Sequence, residues 1–209
     1  QKLSQLIGDK AAVFSGIWRE KQLEYSFRRG LMRQYENFAV CTRNALDYTD
    51  SRLKTGLDDV AKQSLMEAYR VLPAFADVPE SLRVAQTAGF RLFAFSNGSA
   101  DAVENLLIHA GLREFFEGIV SVDALQTFKP NPDVYQHFLN VSQSKAEQAW
   151  LISSNPFDVM GAVAMGMQAA WLRRSPDVVF DPWGIEPTRV IDSLLQLPEL
   201  LQARDERLR

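Results

Sequence analysis

Three short stretches of this 209-residue sequence could do chemistry together: Ser96-Asn97-Gly98-Ser99, Phe128-Lys129-Pro130 and Ser153-Ser154-Asn155-Pro156-Phe157-Asp158. Between them they supply hydroxyls, amides, one cation and one carboxylate, a set with donors and acceptors for a small polar molecule. Each stretch also has a plainer reading. SNGS is turn chemistry in its own right, and one lysine before a proline is commonly a surface residue. Ser, Asn and Asp ahead of a helix satisfy its free N–H groups, and proline suits the first turn. On local grounds alone, capping is the better account of Ser153, Asn155 and Asp158.

The elements that must position these residues give the stretches more weight. FRLFAFS (90–96), GIVSV (118–122), AWLIS (149–153) and AAWLR (169–173) are short apolar runs separated by helix-like segments. That alternation predicts an α/β fold with a parallel sheet covered on both faces. In such sheets ligands sit beyond the carboxyl ends of the strands. Two of the stretches lie at such ends and the third follows a run, so all three are expected around one mouth. From about Lys10 to Leu72 the pattern is helical throughout, with Phe14, Ile17, Trp18 and Tyr25 at three-four spacing. The seam between the halves is expected at Pro73 to Pro79.

Bulk properties narrow the function. Hydrophobic residues make up 46% of the chain and the formal charge is −3, so it is globular and offers no basic field for nucleic acid or an anionic membrane. Cys41 stands alone, which rules out an internal disulfide or a cysteine cage and fits a reducing cytosol. His109 and His137 have no ligand-like neighbours and read as ordinary helix-surface residues. No run approaches the roughly twenty apolar residues of a membrane span, and QKLSQLIGDK lacks the apolar centre of a secretory leader. The expectation is a soluble cytoplasmic protein.

SNGS, SVD, KPNPDVY and SSNPFD, with WREKQLEYSFRRGLM and YENF in the helical half, resemble the haloacid dehalogenase superfamily. The resemblance is closer to its type II 2-haloacid dehalogenase branch and covers nearly the whole chain. It implies a Rossmann-like α/β core over residues 74–209 and a helical cap domain over residues 1–73. Superfamily phosphatases present two acids in the last loop, because Mg²⁺ requires carboxylate oxygens. Here Asp158 is the one acid of SSNPFD. This favours a metal-independent, cofactor-free dehalogenase of short (S)-2-haloalkanoic acids over a small-molecule phosphatase, with a non-catalytic relative as the other alternative.

The resemblance also implies roles. Lys129 would hold the nucleophile's carboxylate, Ser96 and Asn97 would bind the substrate carboxylate or halide, and Ser153 and Asn155 would order the loop. Asp158 would orient or activate water, with Tyr135 supporting Lys129. Arg19 would receive the departing halide, while Leu23, Phe38 and Phe157 form an apolar wall. Glu20 departs from the neutral amide that relatives can carry. The nucleophilic Asp belongs in a DxYGT-like motif on the first, central strand. No such segment occurs here, Asp9 in LIGDKAA lacking both its flanks, so that strand is expected upstream of Gln1. Relatives are often dimers, which leaves a homodimer open.

Overall fold

The computed structural model describes residues 2–197, which divide into two compact units. The first takes the chain up to Pro73 together with Ser96–Gly111 and Ser121–Phe128. The second takes Ala74–Phe95, Leu112–Val120 and the chain from Lys129 onward. In chain order the principal elements are α1 (Lys2–Ile7), α2 (Ala11–Met32), α3 (Phe38–Leu53), α4 (Asp59–Tyr69), α5 (Val78–Thr87), β1 (Phe93–Ser96), α6 (Ala100–His109), β2 (Gly118–Ser121), α7 (Pro132–Ser142), β3 (Trp150–Ser153), α8 (Pro156–Ala164), β4 (Gln168–Leu172) and β5 (Arg189–Ile191).

In the first unit the helical pattern that runs unbroken through the sequence resolves into separate helices. Arg33 and Lys54 end α2 and α3 in the left-handed region, at φ 54° and 49°. Neither is glycine, so neither announces a stop. The restarts are legible: the side chain of Asn37 accepts from Val40 N–H and that of Asp58 from Ala61 N–H, relieving the orphan donors of α3 and α4. Phe14 and Trp18 of α2 meet Ala45 and Leu46 of α3 and Leu65 of α4 in one buried cluster. Each large apolar side chain so buried contributes about 1.5–3 kcal/mol.

The second unit carries most of the strands. β3, β4 and β5 form a parallel sheet in that order, with Trp150 opposite Gln168, Ser153 opposite Trp171 and Ala170 opposite Arg189. β1 and β2 form a separate pair. Four apolar runs thus become four strands, as the alternation predicts, but in two sheets, with β1 and β3 each at an end. The three-residue β5, Arg-Val-Ile, is too short and too polar to show a strand's rhythm. Leu151, Val159, Ala169 and Trp171 pack with Tyr135 and Phe138 in the unit's main core. No helix among the described residues is long and apolar enough to cross a membrane.

Candidate active site

The second unit brings Lys129, Tyr135 and Asp158 into direct contact. β3 ends at Ser153, whose Oγ accepts from Asn155 N–H at 3.2 Å, and α8 starts with Pro156 in its first turn. Asn155 occupies the capping position, yet its side chain makes no capping bond. Asp158 does not cap the helix with its side chain either. It turns inward and is 5% exposed. The capping account of the loop therefore holds for Pro156 and fails for Asn155 and Asp158.

Lys129 comes to the same place from a different segment. Its peptide bond to Pro130 is cis, and Asn131 then opens α7 by accepting from Asp133 N–H at 2.9 Å. The lysine is 5% exposed, so it is no surface residue. Its Nζ donates to Asp158 Oδ2 at 3.1 Å and to Phe95 O in β1 at 3.1 Å, and it lies 3.7 Å from the Phe95 ring centroid. Burial pushes the ammonium below the ordinary lysine value, while the Asp158 charge opposes that shift. Tyr135 is fully buried in the core, and its hydroxyl donates to Asp158 Oδ1 at 3.0 Å and Asp158 O at 3.2 Å. Burial, reinforced by the neighbouring carboxylate, drives its phenol far above the usual range. Tyr135 therefore remains a donor at any working pH, and its partner is the carboxylate as well as the core.

Gly161, three residues past Asp158, completes this arrangement and was not singled out from the sequence. A Cβ there would lie 2.6 Å from Tyr135 Cζ and 2.7 Å from Cε2. Glycine inside a helix costs about 1 kcal/mol relative to alanine, and that local penalty was the available signal. Trp171 of β4 steadies the loop by donating from Nε1 to Ser154 O at 3.3 Å. Phe157 is half-buried beside it in sequence. With one bond from Lys129 and one from Tyr135, the Asp158 carboxylate has lone pairs left for water.

The first unit holds the remaining sequence-derived residues. Ser96 closes β1, and its Oγ accepts from Gly98 N–H at 3.0 Å. Asn97 is half-buried in the same turn, and Ser99 caps α6 by accepting from Ala102 N–H. Arg19 and Glu20 are exposed on α2. Burial pushes the Tyr69 phenol up, and the positive charge of Arg19 opposes that rise. Leu23, one turn on, is half-buried, as is Phe38 at the start of α3, whose ring lies 6.1 Å from that of Phe128. Tyr35, Ser121, Asp123 and Phe128 also join this region. Phe128 was visible only as a neighbour of Lys129, and Asp123 only within SVD. Among the described residues no three His, Cys, Asp or Glu side chains group as metal ligands.

Comparison with known proteins gives one consistent result. The family model described as haloacid dehalogenase-like hydrolase matches residues 20–172. The chain is 36% identical over 188 residues to an (S)-2-haloacid dehalogenase of Pseudomonas sp. strain YL, covering 90% of this chain and 81% of that protein. The crystal structure of an L-2-haloacid dehalogenase superposes with a TM-score of 0.92 at 28% identity, covering 96% of this chain and 90% of the other. The L-2-haloacid dehalogenase of Xanthobacter autotrophicus with chloropropionic acid covalently bound gives a TM-score of 0.88 at 29% identity, covering 95% and 89%.

Proposed function

The chain belongs to the haloacid dehalogenase-like hydrolases, and on that premise we propose that it hydrolyses the carbon–halogen bond of short (S)-2-haloalkanoic acids to 2-hydroxy acids without a metal ion. The observation that carries this reading is Asp158, whose carboxylate is held by one bond each from Lys129 and Tyr135 in a buried setting and keeps lone pairs for water. A hard divalent cation is best served by several oxygen ligands. The donor set here is instead an ammonium, a phenol and one acid, suited to holding carboxylates and water.

In the proposed reaction an aspartate oxygen attacks C2 from the face opposite the halogen. The C2–O bond forms as the carbon–halogen bond breaks, and the halide leaves with its electron pair. Arg19 is assigned the departing charge, which develops only as the bond breaks. Ser96 and Asn97 take the substrate carboxylate, and Leu23, Phe38 and Phe157 its apolar remainder. Water then adds to the carboxyl carbon of the ester, passing a proton to Asp158. The bond from that carbon to the C2 oxygen breaks, this oxygen takes up a proton, and a 2-hydroxy acid of inverted configuration departs. Lys129 keeps the nucleophile ionised. We assign that nucleophile to an aspartate on a strand between β1 and β3, each of which ends its own sheet among the described residues.

The test is halide release from (S)-2-chloropropionate by the full-length protein, with and without EDTA. The expected outcome is equal release in both and, under single turnover, a covalent adduct visible by mass spectrometry. Activity lost to EDTA, with p-nitrophenyl phosphate turned over in the presence of Mg²⁺, would return the protein to the phosphatases. No turnover of either compound would favour a non-catalytic relative.

A further inference from the structure

Between α2 and α3 the hydroxyl of Tyr35 donates to Asp123 Oδ1. Asp123 N–H donates to Ser121 Oγ at 3.1 Å, and the Ser121 hydroxyl donates to Gly98 O at 2.7 Å. Gly98 N–H in turn donates to Ser96 Oγ at 3.0 Å. The Gly98 residue is thus held at both its carbonyl and its amide. Ser121 spends its single proton on Gly98, whereas Ser96, accepting an N–H, keeps its own proton for another acceptor. The Tyr35 ring also lies 5.0 Å from that of Phe128, the residue that meets Phe38. Burial, then the hydrogen bond to Asp123, drive the Tyr35 phenol far above its usual range, so it stays protonated.

We propose that Tyr35, acting through Asp123 and Ser121, is a positioning residue that sets the Ser96–Gly98 turn to receive the substrate carboxylate. The proposal rests on the dehalogenase reading for the identity of that ligand. The carboxylate is bound alike in ground and transition states, so a loosened turn should raise KM and spare kcat.

Tyr35→Phe deletes the hydroxyl and keeps the ring. In the full-length protein it should raise KM for (S)-2-chloropropionate about tenfold with kcat within about twofold. Hydrogen exchange at residues 97–99 should quicken about tenfold while residues 168–172 stay as they were. Asp123→Ala should copy these effects, and Asp123→Asn, which keeps an oxygen acceptor, should hold KM near the wild-type value. Unchanged exchange at residues 97–99 in Tyr35→Phe overturns the proposal whether or not the protein dehalogenates. If the wild type releases no halide and Tyr35→Phe still loosens that turn, the tie stands and the dehalogenase reading falls.

Discussion

Each unit carries a lysine–aspartate pair of similar geometry, and the two lysines are shifted in opposite directions. In the helical unit Lys62 Nζ lies 2.9 Å from Asp50 Oδ2 and 3.0 Å from Asp47 Oδ1. Its hydrogen bond to Asp50 raises its proton affinity above the ordinary lysine value. In the α/β unit Lys129 Nζ is 3.1 Å from Asp158, but burial wins and lowers it. The side chains are 14% and 12% exposed in the first pair and 6% and 8% in the second. Distance scarcely differs. What differs is access to water, and Lys62 is further held between two acids, Asp47 and Asp50. A lysine with surplus negative charge strengthens a fold, whereas one held against its desolvation cost is suited to a second anion, as a nucleophile's carboxylate would be.

The strongest way to break this contrast is Lys129→Met. It leaves the Asp158 charge buried without its cation, which should destabilise the protein by about 3–5 kcal/mol. Halide release should fall by at least about 100- to 1,000-fold, as for loss of one preorganised donor. Urea unfolding and initial-rate assays read both, and a variant within twofold of wild type in rate would strip Lys129 of its role. Gly161→Ala tests the same site without touching a charge. Its Cβ must displace the Tyr135 ring, so a loss of about 1–3 kcal/mol is expected despite alanine's better helix propensity. A thermal midpoint equal to or above that of wild type would show that α8 yields freely there.

Lys62→Met sharpens the other side. Asp50 is buried too, but it keeps the Thr55 hydroxyl and Leu57 N–H as donors, so a loss of about 1–2 kcal/mol, below that of Lys129→Met, is expected with turnover unchanged. Its pH dependence has a definite sign. Burial works to raise Asp50, but hydrogen bonds from Thr55, Lys62 and Leu57 N–H outweigh it and leave the carboxyl lowered. That contribution is present above the unfolded value of about 4 and is lost as pH falls through the lower folded value. Lys62 is raised, so its contribution is complete below its unfolded value of about 10.4 and is lost as pH rises through the folded one. The wild type's advantage over Lys62→Met should therefore span roughly pH 4 to 10 and shrink on both sides. Thermal midpoints across pH measure it, and an advantage that persists at pH 2 would assign the stabilisation to packing of the lysine stem.

Legibility in the sequence followed the same physical divide. The apolar runs at 93–96, 118–121, 150–153 and 168–172 showed because burial requires a continuous apolar strand. The β5 segment did not, since three residues carry no period. Helix ends were hidden where Arg33 and Lys54 adopt left-handed backbone without being glycine, and visible where Asn37 and Asp58 restart the chain. At the site, residue types marked Lys129 and Asp158, but their burial did not follow from local sequence: the capping account of SSNPFD was chemically sound and wrong for Asp158. Tyr35 and Asp123 are 88 residues apart, and no local pattern announces a bond of that separation.

The two units are threaded through one another along the chain, changing over near residues 73, 95, 111, 120 and 128. During synthesis α2, α3 and α4 emerge before the segments 96–111 and 121–128 that share their unit and can pair locally. At about 5–20 residues per second, several seconds of elongation separate these helices from the last segment of their unit. Most of the α/β core, from Lys129 on, is then still unmade. Residues 96–111 and 121–128 thus join a helical cluster whose buried centre, Phe14, Trp18, Ala45, Leu46 and Leu65, is already complete in the chain.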